Sequence, residues 1–110
     1  MRDHNYFTYI TTNPNKTVLY VGCTNNLEQR LIEHFLNRGK PKTFAGRYYC
    51  YNLVHYEHFN WIEQALAREK EIKGWTREKK LLLIKEHNPD FKFLNSEIME
   101  WPPEDGAESR

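Results

Sequence analysis

Tyr9 and Tyr20 stand one each in FTYITT and TVLYVG, two short runs in which valine or isoleucine would pack as well. A phenol offers a hydroxyl that can pass a proton, so the two are either amphipathic packing or a reactive pair. Arg30 and His34 follow, one helical turn apart. A cation beside an imidazole suits the binding of a phosphate and the movement of a proton. Glu69 is the fifth residue of this kind. With the helix that Asn60 opens, running to about Lys73, projected at about 100° per residue, Ile62, Ala65, Leu66 and Ile72 share one side, and Glu69 falls in their middle. A carboxylate there needs a partner, because burying it alone is costly. Either Lys73, four residues on, pairs with it along the helix, or it faces a cleft as a metal ligand or general base. Two phenols, a guanidinium, an imidazole and a misplaced carboxylate form a set suited to phosphodiester cleavage. Each also has a packing explanation, with Arg30 and His34 as edge residues whose stems alone are buried.

These residues need elements to hold them. Tyr6 to Thr12 and Thr17 to Gly22 are rich in Thr, Tyr, Val and Ile, and Asn13-Pro14-Asn15-Lys16 between them is turn chemistry, so the pattern predicts a hairpin. If Thr12 pairs with Thr17, Tyr9 lies opposite Tyr20 and Phe7 opposite Gly22, all on one face. Gly22 then leaves room for a ligand. Asn25 with Glu28 resembles a capping box and opens a helix to about Asn37, with Leu27, Leu31 and Phe35 on its apolar stripe. Residues 37–47 read as an interrupted loop carrying Arg38, Lys40, Lys42 and Arg47, and Tyr48 to Phe59 reads as a third strand. Asn60 with Glu63 opens a second helix that Gly74 stops. Thr76 caps a third, which ends by Asn88 because Pro89 cannot continue it.

The 110 residues suit one domain, and 28% charged with 39% hydrophobic residues is a globular balance. No run is long and apolar enough to span a membrane, no secretory leader is legible, and Cys23 and Cys50 lack metal or redox spacing. A reduced, cytoplasmic protein is the expectation. The net charge of +1 hides an asymmetry: residues 97–110 hold five acidic side chains against Arg110, leaving 15 basic and 10 acidic groups elsewhere. A mildly basic body permits a polyanionic partner. Residues 1–95 are expected to form the domain, and 96–110 an acidic, disordered tail.

With these residues in place, the sequence resembles a GIY-YIG nuclease domain from residue 6 to about 95, and the small standalone bacterial members most of all. Thr8-Tyr9-Ile10 and Tyr20-Val21-Gly22 stand for the two signature tripeptides. The run Asn26-Leu27-x-x-Arg30-Leu31-x-x-His34 matches the Arg/His helix, and Ala65-Leu66-x-x-Glu69 the metal-binding glutamate. Thr8 departs from the first signature glycine, and Asn88 and Asn95 both suit the family's last active-site position. The resemblance implies an α/β (α+β) fold, a three-stranded antiparallel sheet flanked by about three helices. It also implies endonucleolytic hydrolysis of nucleic acid, DNA rather than RNA, with one Mg²⁺ (or Mn²⁺) on Glu69. In that reading Tyr9 takes the proton of the attacking water, Tyr20 orders Tyr9 or the water, Arg30 clamps a phosphate oxygen and His34 assists the proton. Gly22, Arg38, Lys40, Lys42, Arg47 and Asn88 would contact the nucleic acid, and a protein partner would supply target choice. Whether the protein is a monomer or a dimer is open.

Three rivals remain at this point. The same basic loop and aromatics would serve a non-catalytic nucleic-acid-binding module. Cys23 near a helix start could be a thiol nucleophile with His34. His55-x-x-His58 could hold zinc, although strand alternation sends the two to opposite faces.

Overall fold

Asn13 decides where the hairpin closes. In the computed structural model, which describes residues 4–103, its side-chain oxygen accepts hydrogen bonds from the Thr17 and Val18 amides at 2.8 and 2.9 Å. The Thr12 hydroxyl donates to the Val18 carbonyl at 2.7 Å. The turn therefore takes in residues 13–18, and Thr12 pairs with Leu19 rather than Thr17. Strands β1 (Tyr6–Thr12) and β2 (Leu19–Thr24) are antiparallel, with Tyr9 opposite Gly22, Thr11 opposite Tyr20 and Phe7 opposite Thr24. The expected pairings of Tyr9 with Tyr20 and Phe7 with Gly22 are thus displaced by two residues. An even displacement keeps every side chain on its predicted face.

Two helical segments follow, α1 (Leu27–Leu36) and the single turn α2 (Phe44–Arg47), before strand β3 (Asn52–Phe59). Helices α3 (Ile62–Lys73), α4 (Arg77–His87) and the single turn α5 (Asn95–Ile98) complete the described chain. The sheet order is β2-β1-β3, antiparallel throughout, with a bulge that leaves Val54 as the extra residue of β3. The fold class read from the sequence is correct. The differences are local. The cap of α1 is Asn26, whose side chain accepts from the Gln29 amide, rather than Asn25. Trp61 stands at the start of α3 without a side-chain cap, where Asn60 was expected. Thr76 caps α4 as expected. The loop 37–47 contains α2, and β3 begins at Asn52 instead of Tyr48, because Tyr48 closes α2 and Tyr49 turns the chain at φ 59°.

Two apolar layers cover the sheet. Ile10, Val21 and Val54 pack with Ile72, Leu83 and Ile84 of α3 and α4. On the other face Tyr9 and Leu53 pack with Leu27 and Leu31 of α1, flanked by Leu94, Ile98 and Trp101. Thr8 fastens α3 across β1, its buried hydroxyl donating to the Ala65 carbonyl at 2.7 Å.

The free edge of β3 is covered by two asparagines. Asn95 accepts from the Leu53 amide at 2.7 Å and donates to the Tyr51 carbonyl at 2.9 Å. Asn88 donates to the Val54 carbonyl at 3.0 Å and the Lys92 carbonyl at 2.9 Å, and accepts from the Lys92 amide. Such pairing satisfies edge groups that would otherwise be buried unbonded. The chain stays ordered past residue 96: α5 forms, Trp101 sits edge-on to Phe35 at 5.3 Å, and Pro103 is buried. The tail expected at 96–110 is therefore packed through 103, and its remainder lies outside the described residues.

Candidate active site

Four elements carry the chemistry-bearing residues: Tyr9 on β1, Tyr20 on β2, Arg30 and His34 on α1, and Glu69 on α3. Tyr9, on the central strand, is 1% exposed, and its hydroxyl lies 2.8 Å from Nε2 of His34 on α1. Tyr20 closes the group, with ring centroids 6.2 Å from Tyr9 and 5.4 Å from His34. The two phenols do meet, diagonally rather than face to face across the ladder. His34 is buried, not a solvated edge residue, because the i, i+4, i+7 spacing from Leu27 through Leu31 turns it towards the sheet.

Gly22 has a different purpose from the one its position suggested. A Cβ there would run into the Tyr9 phenol, so the room left by the missing side chain is filled by Tyr9 itself. The glycine seats the tyrosine.

Burial pushes the Tyr9 phenol above the usual tyrosine range, as does neighbouring Tyr20; Arg30 opposes the shift and Glu69 adds to it. Arg30 and Glu69 are thus both within electrostatic reach of that hydroxyl. Burial, with Arg30 beside it, brings His34 down to about 4, so its imidazole is neutral at ordinary pH. Arg30 itself is only partly covered and lies 3.6 Å from Glu33. The Cys23 thiol is pushed up, chiefly by burial and then by Glu69. With His34 committed to Tyr9, Cys23 has neither the base nor the depressed pKa of a nucleophile.

Glu69 makes the pair with Lys73 that its spacing offered. Its side chain is 18% exposed and pairs with Lys73 at 2.9 Å, while the Lys73 side chain is 53% exposed. That hydrogen bond above all holds the Lys73 ammonium above its ordinary range. Among its expected stripe-mates, Ala65 and Ile72 are buried, whereas Ile62 and Leu66 are exposed. Among the described residues no group of three His, Cys, Asp or Glu could hold a metal ion.

The remaining predicted residues are bonded to other groups or stand exposed. Arg38 folds back, its guanidinium 3.8 Å over the Phe35 ring and donating to the Phe35 carbonyl. Arg47 donates to the Pro41 carbonyl, and Lys40 and Lys42 are exposed without ion pairs among the described residues. Asn88 is buried, with both ends of its amide bonded to backbone, so it has no free group for a ligand. His55 bonds Glu57 and His58 bonds Asn5, which leaves no shared zinc site. Sequence reading missed Phe44, whose ring stacks on Tyr20 at 6.2 Å and 25°. An aromatic in a Gly/Pro-interrupted loop carries no periodic signal that would single it out.

A family model described as the GIY-YIG catalytic domain matches residues 5–82, which takes in the hairpin, the Arg30/His34 helix and Glu69. The chain belongs to the GIY-YIG family. It is 40% identical over 86 residues to a UPF0213 protein of Haloquadratum walsbyi, covering 78% of this chain and 92% of that protein. A UPF0213 protein of Bacillus pumilus is 36% identical over 86 residues, covering 78% and 85%. The solution NMR structure of a UPF0213 protein from Bacillus halodurans matches with a TM-score of 0.52 at 25% identity, covering 84% of this chain and 93% of that one. GIY-YIG membership places the chain in a nuclease family whose members generally use divalent metal ions. Among the described residues no helix is long and apolar enough to cross a membrane.

Proposed function

We propose that this GIY-YIG protein is a divalent-metal-dependent endonuclease that hydrolyses phosphodiesters, with DNA as the preferred substrate. The observation that carries the reading is the buried Tyr9 hydroxyl held at 2.8 Å by a neutral imidazole. Any phenol this buried needs a partner; an imidazole supplies one that can also take the proton. A phenol hydrogen-bonded to His34 can take the proton of an attacking water while handing its own to Nε2. Tyr20 confines that pair, and Arg30 offers its guanidinium to a nonbridging phosphate oxygen.

The residues present fit a single hard cation. Mg²⁺ is commonly held by one or two carboxylates, with water and substrate phosphate supplying the rest, which is what an isolated Glu69 offers. Lys73 is exposed enough to swing away from that carboxylate. A bound Mg²⁺ or Mn²⁺ would supply positive charge for the phosphate and the leaving oxygen. The charge of Glu69, which now raises Tyr9, would then be offset, and the phenol would become easier to deprotonate. The exposed Lys40 and Lys42 suit sequence-blind contact with the phosphate backbone. Target choice would fall to a partner protein, and two free cysteines suit work in the reducing cytoplasm.

The engagement of Glu69 by Lys73 and the high proton affinity of Tyr9 favour one alternative, a module that binds nucleic acid without cutting it. Incubation with single-stranded, duplex and branched DNA and with RNA, with Mg²⁺ or Mn²⁺, separates the two. Cleavage by the wild type that Glu69→Ala abolishes supports the enzyme; binding without cleavage supports the module.

A further inference from the structure

Phe44 is half out of water, yet it is not loosely held. It begins α2, where the Thr43 hydroxyl accepts from the Gly46 amide at 3.0 Å and the Gly39 amide donates to the Gly46 carbonyl at 2.8 Å. A Cβ on Gly46 would collide with the Lys40 and Asn37 carbonyls, so the turn and the preceding loop are locked together. This scaffold sets the Phe44 ring nearly parallel to Tyr20, and the Tyr48 ring lies tilted 4.8 Å from Phe44. Phe44 is 51% and Tyr48 41% exposed.

A cleft of about 290 Å³ opens beside the stack, between Leu19, Tyr20, Val21, Phe44, Lys73 and Lys80. Its size falls just below the roughly 300–1,000 Å³ typical of drug-sized ligands, and suits one planar ring system. Two lysines stand at an otherwise aromatic and aliphatic site, and Lys80 has no ion pair among the described residues. Aromatic rings beside ammonium groups match a nucleotide, with the base on the ring and the phosphate on the cation.

We propose that Phe44, stacked on Tyr20, is a platform for an unpaired nucleobase. The substrate of the Tyr9 site is then a single strand, flap or frayed end, its adjoining phosphates held by Lys73 and Lys80. This extends the nuclease reading above by naming the substrate class. A base inside a duplex has both faces covered by its neighbours, so only an unstacked base can lie on Phe44.

The test is binding in EDTA, where no cleavage occurs. The probes are an oligothymidylate, an oligouridylate and an abasic deoxyribose-phosphate oligomer, all of equal length. The wild type should hold the base-bearing strands about 5- to 100-fold more tightly than the abasic one, the loss expected for one stacked base. Phe44→Ala should bind all of them as the wild type binds the abasic strand, and Phe44→Tyr should keep the preference. Circular dichroism checks that each variant is folded, as expected for so exposed a residue. The ratio of the two base-bearing strands tells deoxyribose from ribose substrates. Equal wild-type affinity for base-bearing and abasic strands overturns the proposal, and so does a preference that survives in Phe44→Ala. A protein that prefers bases but never cuts with Mg²⁺ or Mn²⁺ removes the nuclease reading and leaves the platform standing. One that cuts but ignores bases does the reverse.

Discussion

Nε2 of His34 and the hydroxyl of Tyr9 lie 2.8 Å apart, both buried, between a helix and the central strand of the sheet. With the His34 proton on Nδ1, the pair places a proton acceptor directly behind the phenol. General acid–base groups typically contribute about 10²–10⁴-fold. Tyr9→Phe, which removes only the hydroxyl, should lower the cleavage rate by that factor and cost about 1–3 kcal/mol of stability for the buried His34 nitrogen left unpaired, with nucleic-acid affinity near wild type. Because the relay needs a protonated phenol and a neutral His34, the rate should be level through the neutral region and fall as pH drops towards the His34 value of about 4. A rate that climbs tenfold per pH unit through neutral pH contradicts the relay.

The same burial makes stability depend on pH. The folded-state value of His34, about 4, is below the ordinary 6.5, so the unfolded chain takes up the proton first. The contribution of a neutral His34 is whole above about pH 6.5 and is lost progressively as pH falls towards 4, on the order of 3 kcal/mol in all. Glu57 follows at lower pH. Burial alone would raise it, but hydrogen bonds from His55 and Arg68 hold it at about 2, so its contribution drains between 4.5 and 2. Urea denaturation should show the wild type losing stability between about pH 6.5 and 4.5 and His34→Gln losing much less. Equal losses would remove His34 as the cause.

Gly22→Ala should disable the site without replacing any reacting group. Its methyl needs the space of the Tyr9 phenol, so either the ring moves off His34 or the strand shifts. Overpacking of this kind costs about 1–3 kcal/mol. The expected result is a lowered melting temperature together with a cleavage rate close to that of Tyr9→Phe.

Asn95→Ala should be a stability variant and nothing else. It strands the Leu53 amide and the Tyr51 carbonyl, at about 1–3 kcal/mol for each buried group left unpaired. Asn88→Ala should behave alike at the Val54 and Lys92 groups. Unfolding free energy should fall in both variants, while the affinity of the remaining folded protein for DNA stays unchanged. A selective loss of affinity in Asn88→Ala would restore it to the nucleic-acid interface.

The sequence carried most of this arrangement because its signals were local. Thr76 capped its helix, the Leu27/Leu31 stripe set α1, and the strand alternation put Tyr9 and Tyr20 on one face. What it did not carry depended on contacts between distant segments. The side chain of Asn13, folded over its own turn, moved the register by two residues. Gly22 read as empty space because the ring that fills it arrives from the neighbouring strand. Asn88 read as a ligand-binding residue because its backbone partner on β3, Val54, is 34 residues away. Trp101 was assigned to a tail by its Pro-rich, acidic surroundings, whereas an edge contact with Phe35 draws it onto the body.

Cleavage by Glu69→Ala beside the wild type, with Mg²⁺ and with Mn²⁺, over the panel of DNA and RNA substrates, tests the central claim most directly. The account predicts that the wild type cuts only when divalent ion is present, and that Glu69→Ala, still folded and still binding the strand, loses the activity by at least about a hundredfold. Cleavage by Glu69→Ala at the wild-type rate, or none by the wild type on any substrate with either ion, would contradict it.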